Sequence, residues 1–327
     1  MVSCEAVFAT QYIHNLDPVA FSVFGFDIRW YGIAYVLGFI AGYLILHQLA
    51  VRGKSVLKPN ETSDFITYAA LFGVMLGGRL GYMLLYDLNH FLSNPLIIFQ
   101  LRSGGMASHG AIAGLMIFTG VYAYRKKLNW PGLGDSLVVV APLGIAFGRI
   151  ANFVNGELWG KQCAPDYKWG VRFPTELSIS DIPAALSTKL PPEVDTMDKV
   201  LDLARSDPAL LQQLGEQVNP RYPSQLFQAT MEGFLLFAIL ITIRLIFKKI
   251  PNGLLTSLFF LLYAGFRIFG EVYREPDRNM DGTLRNEFVM NLSAGQFYSL
   301  FMIVAGLGFL WYAVTRGRKT ATITPEV

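Results

Sequence analysis

The sequence SLVVVAPLGIAFGRIANFVN, residues 136–155, decides the fold, because it is an apolar run that contains one charged residue, Arg149. A helix needs ~20 such residues to cross the hydrocarbon core of a bilayer. Further runs of this kind lie on both sides of it, at residues 30–50, 65–86, 106–124, 226–247, 253–273 and 293–314. The sequence therefore predicts an all-α polytopic membrane protein of about seven transmembrane helices.

The composition agrees with a surface that faces lipid. Of the 327 residues, 53% are hydrophobic and only 16% are charged, and the mean hydropathy is +0.39; soluble domains carry about 25% charged residues. A net charge of +3 is too small to suggest a nucleic-acid partner. Two cysteines exclude a disulfide framework, and the histidines lack metal-ligand spacing, so no metal and no cofactor is expected.

The loops between the spans set the orientation. Lysine and arginine cluster after the first, third, fifth and seventh spans, whereas the loop after the second span has only Arg102. Because basic loops stay in the cytoplasm, we expect the N-terminus outside and the C-terminus inside. The long connection between spans 4 and 5 is then a small extracytoplasmic head. The predicted domains are helices 1–4 with an N-terminal arm (1–155), the head (156–221), helices 5–7 (222–315) and a cytoplasmic tail (316–327).

Three arginines lie at similar depth in three helices. Arg79, Arg149 and Arg267 each fall about 13–14 residues from the inner end of an outward-running helix, which is ~20 Å into a ~30 Å core. A charge at the bilayer centre costs ~2.5–3.5 kcal/mol on insertion scales, so each arginine requires an explanation. We expect the three guanidinium groups in the outer half of the membrane.

The charges near this level are not balanced. Five arginines face three carboxylates, the arginines being Arg29, Arg79, Arg149, Arg267 and Arg274 and the carboxylates Glu157, Glu232 and Glu271. Guanidinium groups bind phosphate through two parallel hydrogen bonds. The sequence thus predicts an anion site, and the natural anion at that depth is a phospholipid headgroup.

A purely structural interpretation of the charges also stands. Arg267 and Glu271 are one helical turn apart and neutralise each other in that interpretation, and Arg79 fits a structural role as well as a functional one. Arg244 lies near the cytoplasmic end of its helix, where we expect its side chain to extend to the membrane surface.

Two other functions use the same features. In an anion or lipid transporter the arginines line a pathway, although the inner halves of the spans are nearly free of charge. In a lipid headgroup hydrolase the arginines bind the phosphate, and diacylglycerol is released without any thiol acceptor.

Several segments resemble one bacterial enzyme family. GRIANFVNGELWG, residues 148–160, is similar along its length to the signature of the prolipoprotein diacylglyceryl transferases. Further similar segments follow in family order: RWYGIAY at 29–35, GGRLGY at 77–82, His109-Gly110, PSQL at 223–226 and YAGFRIFGEVYREPD at 263–277. The chain departs from the usual family pattern at Ala111, Tyr222, Phe227 and Gln228.

The resemblance implies an activity, a location and a set of residues. The family transfers the diacylglyceryl group of phosphatidylglycerol to the lipobox cysteine of prolipoprotein peptides, with glycerol 1-phosphate as the leaving group. It does so from the bacterial inner membrane, with the active site in the periplasmic half and membrane lipid around it. Arg149 and Arg267 are then the central lipid-binding and catalytic residues. The supporting substrate-binding residues are Tyr31, Asn152, Glu157, Tyr263, Glu271 and Arg274. Arg79 is added to them because it lies at the same depth in the membrane as Arg149 and Arg267.

The chemistry of thiol transfer points to His109 as a third catalytic residue. A thiol has a pKa of about 8.5 and reacts as the thiolate, so the reaction needs a base or a strongly positive field. Arginine cannot act as the base, because it stays protonated. Histidine can. The alternative is that His109 caps its helix or orients the headgroup.

Overall fold

The structure is a computed structural model that describes residues 11–99, 105–188, 190–275 and 292–318. Its helices are α1 Trp30–Val51, α2 Pro59–Leu84, α3 Leu88–Ser93, α4 Ser108–Lys126, α5 Trp130–Val154, α6 Ala184–Ser187, α7 Met197–Ser206, α8 Pro208–Glu216, α9 Ser224–Ile246, α10 Leu254–Gly270 and α11 Gly295–Gly317. Its strands are β1 Tyr12–Ile13, β2 Val19–Val23, β3 Phe26–Arg29 and β4 Val171–Arg172.

Helices occur at all seven positions where the sequence predicts a span. Within the described residues, five of them (α1, α2, α5, α9 and α11) are long and apolar enough to cross a membrane. Of the other two, α4 has 19 residues and α10 has 17. The prediction of a mainly helical, multi-pass membrane protein is confirmed.

The apolar side chains of α1 show why such a helix needs lipid. Val36, Leu37, Ile40 and Leu44 are all exposed on its surface. A contiguous apolar face of this kind is unfavourable in water. In hydrocarbon it is the expected exterior of a spanning helix, whose backbone groups are satisfied within the helix.

The chain forms two compact units, which are described separately. Unit one comprises Met1–Tyr35, Ile145–Leu235 and Tyr263–Phe301. Unit two comprises Val36–Gly144, Leu236–Leu262 and Met302–Val327.

In unit two, glycines bring α2 and α4 into backbone contact. A methyl group built on Gly81 would lie 2.4 Å from the Cα of Gly110, and one on Gly77 would lie 2.8 Å from the Cα of Gly114. The glycines are spaced four residues apart on each helix, a pattern that allows close helix approach in membranes. The spacing is visible in the sequence, and the structure shows the close approach.

A buried carboxylate in unit two fixes the start of α10. Asp135 accepts hydrogen bonds from the backbone N–H groups of Gly253 and Thr256, both at 2.7 Å, and from the Thr256 hydroxyl at 2.8 Å. These groups lie at the N-terminus of a helix, where backbone donors lack partners within the helix. Asp135 therefore acts as a cap supplied by another helix.

Arg244, near the end of α9, reaches the segment that follows α1. Arg244 is 7% exposed, and its Nε donates to the backbone carbonyl of Lys54. The Lys54 ammonium in turn donates to the carbonyls of Arg244 and Leu245, at 3.1 and 3.0 Å. Carbonyls at a helix C-terminus lack partners within the helix, and Lys54 supplies hydrogen bonds to those at the end of α9.

Unit one contains the polar segment after α5. There β1 pairs in parallel with β4, and Gly160 forms an antiparallel bridge with Arg274. A small apolar core includes Val200 and Ala204 of α7 and Leu214 of α8. A second, antiparallel pair is formed by β2 and β3. These short strands are not predicted from the sequence.

Candidate functional site

Two arginines share one glutamate in unit one. Glu232 is fully buried, and its Oε2 lies 3.2 Å from Nη2 of Arg149. Its Oε1 lies 3.7 Å from Nη1 of Arg267. The three residues come from α5, α9 and α10, so a single carboxylate holds two guanidinium groups from different helices.

The local geometry around Glu232 is unusual. Residues Ala229–Leu235 of α9 form π-helical turns, which are rare and occur often at functional sites. Gly233 lies against α5, since a methyl group there would be 2.5 Å from Cβ of Ala146. This close approach brings α9 near the helix that carries Arg149.

A second carboxylate extends the cluster. Oε1 of Glu271 lies 2.6 Å from Nη2 of Arg267 and 3.8 Å from Nη1 of Arg274. Its other oxygen accepts a hydrogen bond of 3.0 Å from the hydroxyl of Ser293. Gly295 makes room for this arrangement, because a methyl group there would be 2.4 Å from Oε1 of Glu271.

Among the described residues, the cluster joins more arginines than carboxylates. It contains three arginines (Arg149, Arg267 and Arg274) and two carboxylates (Glu232 and Glu271), so the formal charge is 3 − 2 = +1. No carboxylate lies in the span of Arg149, yet Arg149 is paired, because Glu232 comes from another helix. The arginines are compensated more fully than the sequence alone suggests.

Three more predicted residues form a hydrogen-bonded group in the same unit. The hydroxyl of Tyr31 donates to Oε1 of Glu157 at 2.5 Å. The amide of Asn152 donates to the same oxygen at 2.9 Å and also to the oxygen of Tyr31. Glu157 is fixed further by Gln225, whose amide donates to the backbone carbonyl of Glu157 at 2.7 Å.

Buried amide groups in unit one have unused hydrogen-bonding capacity. Both side-chain polar atoms of Gln228 are buried without a partner in the described part of the chain, as are Oε1 of Gln225 and Oδ1 of Asn155. Gln228 lies one helical turn before Glu232 and next to Gly270. Because a buried amide without a partner costs free energy, these groups are suited to a polar ligand.

Tyr263 contacts one of the two arginines, Arg149. Its side chain is hydrogen-bonded to the side chain of Arg149. Tyr31, Asn152, Glu157, Tyr263, Glu271 and Arg274 thus all lie in the same unit as Arg149 and Arg267.

Two predicted residues lie in unit two. The guanidinium of Arg79 donates to the backbone carbonyls of Ile97 and Gly105, at 2.7 and 3.1 Å, and to that of Ile98 at 3.3 Å. These contacts hold a loop and agree with the structural interpretation of Arg79. His109 lies in the first turn of α4, and its side chain lies outside the described part of the structure.

Three residues of the site were missed in the sequence. Gln228 and Glu232 are four residues apart, a spacing that places them on one helix face, and this could have identified Gln228. Ser293 and Gly295 give no such signal, because their importance comes from their distance to Glu271, which is remote in the chain.

Comparison with known proteins identifies the family. The family model described as prolipoprotein diacylglyceryl transferase matches residues 18–312. A phosphatidylglycerol–prolipoprotein diacylglyceryl transferase from Bdellovibrio bacteriovorus is 37% identical, over 90% of this chain and 92% of its own length. Proteins of the same name from Oleidesulfovibrio alaskensis and Salmonella paratyphi B are each 34% identical, over 94% of this chain and 97% of their own length. The resemblance drawn from residues 148–160 is confirmed.

Proposed function

Since the chain belongs to the prolipoprotein diacylglyceryl transferase family, we propose that it transfers the diacylglyceryl group of phosphatidylglycerol to a cysteine thiol of prolipoproteins. It is a membrane-embedded transferase, and its reaction is the first step of bacterial lipoprotein maturation. The acceptor is the cysteine of the lipobox.

The reaction makes one bond and breaks one. The cysteine sulfur attacks the glycerol carbon that carries the phosphate, and a carbon–sulfur bond forms. The carbon–oxygen bond to the phosphate breaks, and glycerol 1-phosphate leaves with the electron pair. The thiol proton passes to a base, for which we propose His109 on the chemical grounds given above.

The shared carboxylate of Arg149 and Arg267 supports this proposal most directly. Negative charge grows on the departing phosphate, and guanidinium groups fixed in advance stabilise it best where water is scarce. Glu232 holds both groups within 3.7 Å of one carboxylate. The two guanidinium groups attract the anionic headgroup, and the buried amides of Gln225 and Gln228 offer hydrogen bonds to its polar atoms.

The second polar group is proposed to position the lipid. Tyr31, Asn152 and Glu157 form a fixed set of donors and acceptors, which suits the glycerol hydroxyls of the headgroup. Arg274, Glu271 and Tyr263 complete the binding residues. Arg79 stays a proposed substrate-binding residue because of its depth in the membrane.

We also propose the finer topology. Seven helices cross the inner membrane, with α4 and α10 as the two additional spans. The N-terminus lies outside, the C-terminus lies inside, and residues 156–221 form a periplasmic head. The active site is then in the periplasmic half of the membrane.

Incubation of the purified protein in liposomes with labelled phosphatidylglycerol and a lipobox peptide tests the function. We expect the peptide to gain the mass of one diacylglyceryl group, and a peptide with serine in place of cysteine to gain nothing. Diacylglycerol released without peptide would instead indicate a hydrolase, and anion movement across the liposome without lipid consumption a transporter. Either result would overturn the proposal.

A further inference from the structure

The hairpin formed by β2 and β3 ends in a residue whose side chain is almost fully exposed. Phe24 is 97% exposed, and it occupies the tip together with Gly25. Both residues have positive φ, 49° and 78°, as in the type I′ turns of two-residue hairpins. Asn or Gly normally fills the first of these positions, whereas positive φ is a genuine outlier for a bulky residue. The protein thus places an aromatic ring at a strained position where it packs against nothing in the described structure.

The two faces of the hairpin differ in polarity. Phe21 pairs with Ile28, and Val23 pairs with Phe26. Because side chains alternate along a strand, these four apolar residues share one face, and all four are exposed. The other face carries Ser22 and Asp27, whose side chains are hydrogen-bonded to each other at 2.6 Å.

The hairpin is joined directly to a membrane span. β3 ends at Arg29, and α1 begins at the next residue, Trp30. The backbone N–H of Trp30 donates to the carbonyl of Pro18 at 3.1 Å, which fixes the base of the hairpin to the start of the helix. Exposed tryptophan is typical of the membrane–water interface. The apolar residues of the hairpin therefore directly precede the first residue of a span in the chain.

We propose that this hairpin is an interfacial anchor that lies on the outer leaflet, with Phe24 and the apolar face in the lipid. Phe21, Val23, Phe26 and Ile28 then contact the region between headgroups and acyl chains, while Ser22 and Asp27 remain in water. β2 has five residues, and a strand rises ~3.3 Å per residue, so the anchor reaches ~16 Å from the first residue of α1.

Spin labels on the two faces distinguish lipid from water. Cysteine is introduced at Phe24, Phe26 or Ser22 in a chain whose own cysteines are changed to serine (C4S and C163S). Each labelled variant is placed in lipid nanodiscs that hold one copy. The accessibility of the label to oxygen, which concentrates in lipid, is compared with that to a water-soluble nickel chelate. Transfer activity serves as the folding control.

For an interfacial anchor, F24C and F26C labels are reached readily by oxygen and poorly by nickel, and the S22C label shows the opposite order. Equal exposure to nickel at positions 22 and 24 would overturn the proposal. A second set of nanodiscs holds two copies. Protection of the labels from nickel in the two-copy discs but not in the one-copy discs would overturn the proposal too, since a second chain would then be the partner.

Discussion

Glu232 is the side chain that links the two central arginines of the site. It carries no role in the sequence motifs, yet it is the carboxylate that Arg149 and Arg267 share. A buried ion pair adds little net stability when intact, but removal of one partner leaves a charge without compensation. Glu232 therefore fixes the positions of the two guanidinium groups before any lipid binds.

Replacement of Glu232 by glutamine should reduce stability and transfer together. We expect a loss of about 3–5 kcal/mol in the free energy of unfolding, the range for breaking a buried pair. Added phosphatidylglycerol should recover more stability in E232Q than in the wild type, because its phosphate replaces the lost carboxylate. Thermal unfolding in detergent, with and without the lipid, measures both effects. The exposed head residue Glu216 provides the control E216Q, and equal lipid effects in E232Q and the wild type would contradict the account.

A methyl group at Gly295 should disturb the site without a change of charge. In G295A the new Cβ would be 2.4 Å from Oε1 of Glu271 and 3.0 Å from Nη2 of Arg267. A displacement of ~1 Å in a catalytic arrangement can cost ~100-fold in rate, and we expect a loss of that order in transfer. Gly308 lies on the same helix with open space around it, so G308A is the matched control. Equal rates in the two variants would show that the fit around Gly295 is unimportant.

At the residue scale, sequence patterns identify charged residues better than their partners. Arg149 and Arg267 stand out because charges are expensive in a bilayer. The partner of each is set by tertiary packing, and therefore the pairing of Arg149 with Glu232 could not be predicted from the sequence. Arg244 shows the same limit, since its acceptor is a backbone carbonyl that has no sequence signature.

At the element scale, the contact between α2 and α4 is set by glycine spacing. Such a contact depends on packing rather than on apolar burial, because lipid is as apolar as the helix surfaces. A side chain at the contact therefore separates the two backbones.

Substitution of Gly81 by alanine should destabilise this helix pair. The new Cβ would be 2.4 Å from backbone Cα of Gly110, and backbone cannot yield as a flexible side chain does. Overpacking of this kind costs about 1–3 kcal/mol, and thermal unfolding of G81A should show it. Gly120 on α4 has open space around it; G120A should be neutral or gain up to about 1 kcal/mol from helix propensity. A G81A variant as stable as G120A would refute the close contact.

The segment around β1 should lose stability in mild acid because of His14. His14 is buried between Phe153 and Phe173, and burial lowers its pKa from 6.5 to about 4. Between pH 6.5 and 4 the unfolded chain binds a proton at His14 that the folded chain does not bind. The contribution of His14 to stability is therefore fully present above pH 6.5 and is lost as the pH drops towards 4. Proteolysis of the head in liposomes between pH 7.5 and 4.5 measures this. The variant H14Q cannot titrate, and its acid sensitivity should be weaker; an identical profile would exclude His14 as the cause.

At the scale of the whole molecule, the sequence predicts the class of fold well. Hydropathy identified seven segments that are helical in the structure, because a bilayer imposes helix length and apolar composition on any span. It did not predict the strands of the head or the hairpin before α1, which are short and depend on partners distant in the chain. It also did not predict that α10 has only 17 residues, since apolar composition does not fix where a helix ends.

The most direct test of the central claim is the rate of diacylglyceryl transfer from phosphatidylglycerol to a lipobox peptide in R149A and R267A, measured on protein shown to be inserted in liposomes. R125A, which changes an exposed arginine at the end of α4, is the control for loss of positive charge alone. If the two guanidinium groups hold the lipid phosphate, both site variants lose transfer and the control keeps it. Transfer at a near-wild-type rate in either R149A or R267A would contradict the account.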